Sequence, residues 1–414
     1  MSFLYLQSME YKIDFVFKKE YARLIAILVK RFGSQNIDLI EDSVQEAFFK
    51  ALKLWPTKKP GNPAAWIMLV AKNHLLDQLK KADNKLKNNL SDVGASQVSA
   101  MEMPDESEIV DSQLRMIFAC CHPEIKPVDQ LILSLKFLCG FGNNQISRAL
   151  LKNPEAVAKA LTRAKQKFRS KVKDFSVPGV EELKPRLTNV LKVIYLQFNE
   201  GYKVSQGDQL INKDLCWDAI KLAELINTHR HFNTPETNAL LALMYFQASR
   251  FHTRLDDNNR LLTLEHQPRS KWNQKLILQG NIYLGRASSG DKVSAYHLEA
   301  AIAGYHATAK SFKETNWRAI IDLYDLLLAD SRNPVYLLNR IIAFAQINPP
   351  EETLAIVRSN QHRLPDNHIT KVFVGGLYEK LKKPHLAKES YHLAFERTQN
   401  ELERQFIADK LESL

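Results

Sequence analysis

Between Asn144 and Val172 an apolar helical period runs, breaks at one short turn and resumes, and this break constrains the fold more tightly than any other stretch of the sequence. Ile146, Ala149 and Leu150 recur at helical spacing, Lys152-Asn153 interrupts them, and Pro154 suits the first position of a new helix with Asn153 as its cap. The second helix gathers Val157, Ala160, Leu161, Ala164 and Phe168 on one face. From Lys159 to Lys173 its other positions carry seven cations in fifteen residues, with no acid before Asp174. A helix that packs one face on its partner and turns such a face outward can lie in a DNA major groove, reading base edges near its N-terminus and phosphates beyond. The plainer reading of a basic helix face is a solvated surface.

The rest of the chain extends the helical pattern. Long apolar periods dominate the 414 residues, alternating runs are scarce, and only 14 Gly and 16 Pro interrupt them, so the expected class is all-α in several domains. The net charge of +11 is unevenly placed: residues 1–175 hold 27 Lys+Arg against 19 Asp+Glu, and the remainder 30 against 27. A polyanionic partner therefore belongs to the N-terminal part. Cys120, Cys121, Cys139 and Cys216 lack the spacing of a disulfide framework or a metal site, and read as buried thiols. With no signal peptide and no apolar run long enough to span a bilayer, a cytoplasmic chain without a membrane partner is expected. No phosphate loop, catalytic triad, metal cluster or cofactor motif is visible, so catalytic, cofactor and metal sites are expected to be none.

Three helices open the chain, and two more from Asp111 lead into the turn, packing on it through Leu114, Ile117, Phe118, Leu131, Leu135 and Phe137. Residues 9–32 carry Phe15, Tyr21, Leu24, Ile25, Leu28 and Phe32 and end near Gly33. Ile37 to Leu54 places Ile40, Val44, Ala47, Phe48, Ala51 and Leu52 on one stripe, with Glu41, Asp42, Gln45 and Glu46 as an acidic surface. Such acids can simply oppose the helix dipole, or can form a docking surface. Ala64 to Lys81 follows a Pro-Gly loop, packs Trp66, Leu69, Val70, Leu75, Leu76 and Leu79, and ends in a basic tail. Trp66 reads most simply as a core aromatic, though an indole beside Lys72, Lys80 and Lys81 can also border a stacked base.

These residues carry a resemblance. Asp42-Ser43-Val44-Gln45-Glu46-Ala47-Phe48, then Pro63-Ala64-Ala65-Trp66 and Val70-Ala71-Lys72-Asn73-His74-Leu75-Leu76-Asp77, resemble region 2 of the extracytoplasmic-function sigma factors of bacterial RNA polymerase, and the helix-turn-helix from Asn144 resembles their region 4. The resemblance implies that Asp42, Gln45 and Glu46 bind the clamp helices of core RNA polymerase. It places Asn73 where related factors capture a base flipped from the −10 element, with Trp66, Lys72, Lys80 and Lys81 around it, and trapping an extruded base offsets an unstacking cost of about a few kcal/mol. In region 4 it implies contact with the −35 element of promoter DNA through Lys159, Thr162, Arg163 and Lys165, continued by Lys167 and Arg169. Ala160 stands where many relatives have an arginine, which leaves the −35 sequence open.

The phrases QLRMIFACCHPEI, YLQFNEGY and LCWDAIKLAELI resemble the subgroup of these factors with a large helical C-terminal extension. Frames starting at Ala300, Pro334 and His368 repeat every 34 residues, and the last sets Gly375, Tyr378, Ala387, Tyr391 and Ala394 at tetratricopeptide-like packing positions. Stacked hairpins of this kind form a concave surface that suits a protein or peptide ligand. The segment from His252 to Gln274 reads as a solvated loop. The expected organisation is region 2 in residues 1–82, a linker in 83–110, region 4 in 111–175, a helical extension in 176–290 and tetratricopeptide-like repeats in 291–414. The expected function is that of an alternative sigma factor, not an enzyme, with the extension regulating it. A helix-turn-helix regulator acting without core polymerase and a helical interaction scaffold are the alternatives.

Overall fold

Helix starts in this chain are written in short polar-proline signals. Asn153 Oδ1 accepts the Glu155 amide at 2.8 Å ahead of Pro154, Thr234 Oγ1 accepts the Thr237 amide at 3.2 Å ahead of Pro235, and Asn333 Oδ1 accepts the Val335 amide at 2.9 Å ahead of Pro334. Each cap satisfies an amide that has no carbonyl one turn back, and each proline sits where no amide hydrogen is needed. The computed structural model describes residues 16–17, 20–57, 60–87, 105–150, 152–173, 175–176, 180–203, 210–228, 230 and 232–414. Among them the fold is all-α, and β pairing is confined to an isolated bridge between Leu255 and Leu261. The chain divides into two compact units, Met1–Gln197 and Phe198–Leu414, and the division falls inside one helix.

The first unit holds α1 (residues 20–32), α2 (Ile37–Leu54), α3 (Pro63–Lys87), α4 (Glu106–Cys120), α5 (Pro127–Cys139), α6 (Asn143–Leu150), α7 (Pro154–Lys171) and the start of α8 (Val180–Tyr202). Tyr21, Leu24, Ile25 and Leu28 of α1 are buried, as are Ile37, Ile40, Val44 and Ala47 of α2, while Phe15 lies outside the described residues. α2 and α3 pack along one another. Gly33, at φ 83°, and Gly140, at φ 66°, turn the chain after α1 and α5 in a conformation that side chains with a Cβ resist. α5 is buried nearly all round and packs against α7, with the Phe137 and Phe168 rings 6.1 Å apart.

Two expectations change here. Leu52 and Leu69, read as core positions, are 44% and 55% exposed, because each falls off the stripe that α2 and α3 bury against each other. The linker read over 83–110 is helical at both ends, since α3 runs to Lys87 and α4 begins at Glu106 under an Asp105 cap; its middle, 88–104, lies outside the described residues. α4 is tied to α1 by Arg31 to Glu108 at 3.2 Å and Lys30 to Asp111 at 3.3 Å.

The second unit takes the end of α8 and adds α9 (Lys213–Thr228), α10 (Pro235–Ala248), α11 (Gln274–Ala287), α12 (Ala295–Thr308), α13 (Trp317–Asp330), α14 (Pro334–Phe344), α15 (Pro350–Ser359), α16 (His368–Lys380), α17 (Pro384–Arg397) and α18 (Glu401–Glu412). α10 is apolar on every side, and packs against α9, α11 and α12. Further on, consecutive helices pair, α13 with α14 and α16 with α17. Two of the three 34-residue frames begin at a helix start, Pro334 of α14 and His368 of α16, whereas Ala300 falls in the middle of α12. Ala387, Tyr391 and Ala394 are buried together with Ile407 of α18. A Cβ on Gly375 would lie 2.7 Å from the Tyr391 ring, so the α16–α17 contact closes over a missing side chain. All four cysteines are free and buried, and burial pushes the Cys121 thiol up to about 12.

Candidate nucleic-acid interface

The outer face of α2 is where helical geometry places Asp42, Gln45, Glu46 and Phe49. Asp42 and Gln45 are exposed, Glu46 is half-buried and 3.7 Å from Lys50, and Phe49 is 49% exposed beneath the Lys53 ammonium at 4.1 Å. An acidic rim beside exposed Phe49 and Leu52 is a surface suited to another protein, since large apolar side chains left in water gain most from being covered. On α3, Asn73, Lys80 and Lys81 are exposed. Lys72, read as a phosphate contact, is instead buried, because it falls on the same face as Met68, Ala71 and Leu75. Trp66 is half-buried and meets Trp55 edge to face at 5.7 Å. His74 Nδ1 lies 3.0 Å from Ser43 Oγ and locks α3 to α2 behind this surface.

Glu41 departs from the acidic surface that its neighbours form. It is 4% exposed, and its carboxylate meets Lys136 of α5 at 3.0 Å and Lys165 of α7 in a short contact, with Gln45 Nε2 donating at 3.1 Å and Tyr21 Oη at 3.4 Å. Burial alone raises a carboxyl pKa, but the two lysines outweigh it and hold Glu41 below its ordinary value. The same environment, burial first and the Glu41 charge second, drives the Tyr21 hydroxyl well above its ordinary value. Beside Glu41, Asp38 pairs with Arg169 in a short contact and with Lys165 at 3.4 Å, and Ser34 Oγ donates to the Val172 carbonyl. The start of α2 and the basic helix α7 are therefore joined by a four-residue charge cluster, Asp38, Glu41, Lys165 and Arg169.

The six α7 positions read as DNA contacts divide accordingly. Lys159, Thr162 and Lys167 are exposed, the Thr162 hydroxyl donating back to the Ala158 carbonyl at 3.1 Å. Arg163 is exposed but bidentate to buried Asp129 of α5, at 3.0 and 2.8 Å. Lys165 and Arg169 are held by α2, and Lys171 adds a pair to Glu124 at 2.5 Å. Of these cations Lys159 and Lys167 face water, whereas Arg163, Lys165, Arg169 and Lys171 are paired with Asp129, Glu41, Asp38 and Glu124.

The sequence placed Glu41 on the acidic surface, although a signal for its burial was present. At 3.6 residues per turn position 41 follows Ile37 and precedes Val44 on the apolar stripe, so a carboxylate there must be buried and must be paired. Its partners, 95 and 124 residues away on α5 and α7, left no local trace.

Residues 17–85 match the Sigma-70 region 2 family model, the span that contains α2 and α3 with their exposed acidic face. Residues 186–288 match a family of unknown function, DUF6596. Over 408 residues the chain is 31% identical to an uncharacterized protein of Rhizobium meliloti (strain 1021), R00370, covering 97% of this chain and 96% of that one. No solved structure matches. The chain belongs to one full-length family with the Rhizobium meliloti protein, and it carries a match to Sigma-70 region 2 ahead of a match to DUF6596. Sigma-70 region 2 implies an interaction with core RNA polymerase. Among the described residues no helix is long and apolar enough to cross a membrane.

Proposed function

We propose that the chain is an alternative sigma factor of the extracytoplasmic-function type, with region 2 in residues 1–82, region 4 in 111–175 and a regulatory extension in 176–290 and 291–414, the connection between the two regions being shortened by helices that run to Lys87 and start at Glu106. The observation that carries this reading is the outer face of α2, Asp42, Gln45, Glu46 and Phe49, together with an exposed Asn73 on the helix packed against it, within the span that matches region 2. In this reading the α2 face docks on core RNA polymerase, Asn73 with Lys80 and Lys81 captures and steadies the melted −10 strand, and Trp66 supports that surface from behind. Lys72 acts from the α2–α3 core by fixing the helix that presents Asn73. α7 reads the −35 element, with Lys159, Thr162 and Lys167 available at once and Arg163, Lys165 and Arg169 becoming available when their acids release them.

The charge cluster between α2 and α7 favours this reading over a regulator that acts without polymerase. Two of the cations that would hold phosphates are engaged by Asp38 and Glu41 in the chain by itself, so tight duplex binding requires the two helices to part. In the tetratricopeptide-like part, a cavity of about 570 Å³ lined by Leu354, Val357, Val374, Tyr378, Leu393 and Arg397 is the place for a protein or peptide ligand. The test is reconstitution: the full chain with bacterial core polymerase should direct transcription from a promoter that core alone ignores, and Asp42→Lys with Glu46→Lys should abolish the complex. Core binding that survives the double charge reversal removes the proposed docking face.

A further inference from the structure

The connection between α10 and α11, residues 249–273, read as a solvated loop, is exposed over Asp257–Arg260 but closed at its base and packed on its inner side. The Asn273 amide donates to the Ser249 carbonyl at 2.8 Å across its base, and the Leu262 amide to the Arg254 carbonyl at 2.9 Å within it. Phe251, Thr253, Gln267 and Trp272 are buried. Three of its arginines turn inward onto aromatic rings: Arg254 lies 4.3 Å over Tyr202, Arg250 5.5 Å over Tyr202 and 5.9 Å over Trp272, and Arg269 4.3 Å over Trp272. The acids of the loop do not follow them. Asp257 and Glu265 are exposed, and Asp256 accepts the Asn258 and Arg260 amides at 2.9 and 2.7 Å.

Arg250 Nε donates to the Tyr202 hydroxyl at 2.6 Å, and Arg254 donates to the Tyr202 carbonyl. Arg269 uses Nη1 on the His306 carbonyl, and its opposite edge, Nε with Nη2, is buried without a hydrogen-bond partner. Trp272 Nε1 and His306 Nδ1 are in the same condition. Elsewhere in the chain that guanidinium edge is filled: Arg163 gives it to Asp129 at 3.0 and 2.8 Å, Arg340 to Asp325 at 2.5 and 3.1 Å, and Arg397 to Asp366 at 3.1 and 3.2 Å. Among the described residues, Arg163, Arg340 and Arg397 thus use the fork geometry that fits a carboxylate or a phosphate, whereas both nitrogens of that edge in Arg269 are shielded from water without a hydrogen-bond partner. The electrostatics agree. Burial first and the nearby Arg250 charge second lower the Arg269 pKa to about 10, and burial first with the two arginines second lowers His306 to about 3, so these cations repel one another as well as being shielded.

We propose that Arg269, Trp272 and Arg250 form a small-molecule oxyanion site, in which a phosphate or carboxylate group takes the Nε–Nη2 edge of Arg269, accepts from Trp272 Nε1 and is balanced by Arg250. This gives the C-terminal unit a ligand of defined chemistry. It does not depend on the transcription reading, because the binding is measured without polymerase or DNA.

The full-length protein is titrated by calorimetry and thermal unfolding with sodium phosphate and with sodium succinate, against sodium chloride at matched ionic strength. Saturable heat and a raised melting temperature are expected with at least one of the two; a response to phosphate alone assigns a phosphorylated ligand, and one to succinate alone a carboxylate. Arg269→Lys, which keeps the charge and loses the fork, should weaken binding about tenfold or more, whereas Arg340→Lys, whose edge is already filled by Asp325, should leave it unchanged. No response beyond that to chloride, or wild-type affinity in Arg269→Lys, overturns the proposal. If Arg269→Lys loses the native circular dichroism spectrum, Arg250→Ala and Trp272→Phe decide: weakened binding supports the site, and unchanged affinity in both overturns it.

Discussion

Replacing Glu41 by Gln tests whether a buried carboxylate holds α2 against α5 and α7. At 3.0 Å from Lys136, its gross attraction to that one ammonium is about 5 kcal/mol at an effective dielectric of 20. Most of this is offset by the cost of keeping the carboxylate 4% exposed, and the lysine side chains, 16% and 19% exposed, can swing toward water once the charge is gone. The net loss should be about 2–3 kcal/mol, below the usual range for a fully buried broken pair. Hydrogen exchange read by mass spectrometry on peptides from Ile37–Leu54 and Pro154–Lys171 should then show protection reduced roughly 30- to 150-fold, since about 1.4 kcal/mol corresponds to tenfold. Peptides of α13 to α17 should be unchanged. The same substitution removes one of the two carboxylates on Lys165 and should raise duplex DNA binding by the chain without polymerase, more so when Asp38→Asn removes the other and also frees Arg169. Glu46→Gln, which removes only a surface pair with Lys50, should change protection by less than about 0.5 kcal/mol. Unchanged protection of α7 in Glu41→Gln would refute the idea that charge joins these helices.

Other outcomes follow from the same geometry. Gly375→Ala drives a methyl to 2.7 Å from the buried Tyr391 ring and should lower stability by about 1–3 kcal/mol, read as an earlier thermal transition. His306 is held neutral with a pKa of about 3 against an ordinary 6.5, so the unfolded chain takes up its proton first; stability should fall as pH drops from 6.5 toward 3, by at most about 1.4 kcal/mol per pH unit, and His306→Asn should flatten that slope in urea titrations. Glu403 shows the other case of a depressed pKa, about 2, reached because His368 at 3.0 Å, Lys203 at 3.2 Å and the Thr398 hydroxyl at 2.6 Å overcome its burial. Its contribution should be complete above about pH 4.5 and lost as pH falls toward 2, and Glu403→Gln should remove that acid-sensitive part.

Local signals in the sequence carried the helices, and non-local ones did not carry the site. Asn153-Pro154 marks the start of α7, and Pro334 and His368 start α14 and α16, because capping and proline chemistry act within a few residues. Which face of each helix is covered was legible only where the stripe was purely apolar. Glu41 and Lys72 sit on buried faces of α2 and α3 as charged residues, and reading them by charge in place of period put them on the surface. Arg163, Lys165 and Arg169 were legible as a basic face, yet their engagement by Asp129, Asp38 and Glu41 depends on tertiary contacts that no local pattern encodes. The loop from His252 to Gln274 misled for a related reason: its polar composition suggests solvation, while Arg254 folds inward over Tyr202 of α8, distant in sequence, and Arg269 over Trp272.

The most direct test of the central claim is a promoter-dependent transcription assay with the purified full chain and bacterial core RNA polymerase, run beside the Asp42→Lys, Glu46→Lys double variant. Both residues border water, so the variant should fold with stability changed by no more than about 1 kcal/mol. The account predicts transcripts from the wild-type chain and none from the variant, which should also fail to co-elute with core. A wild-type chain that neither binds core nor directs initiation, or a variant that does both as well as wild type, would contradict it.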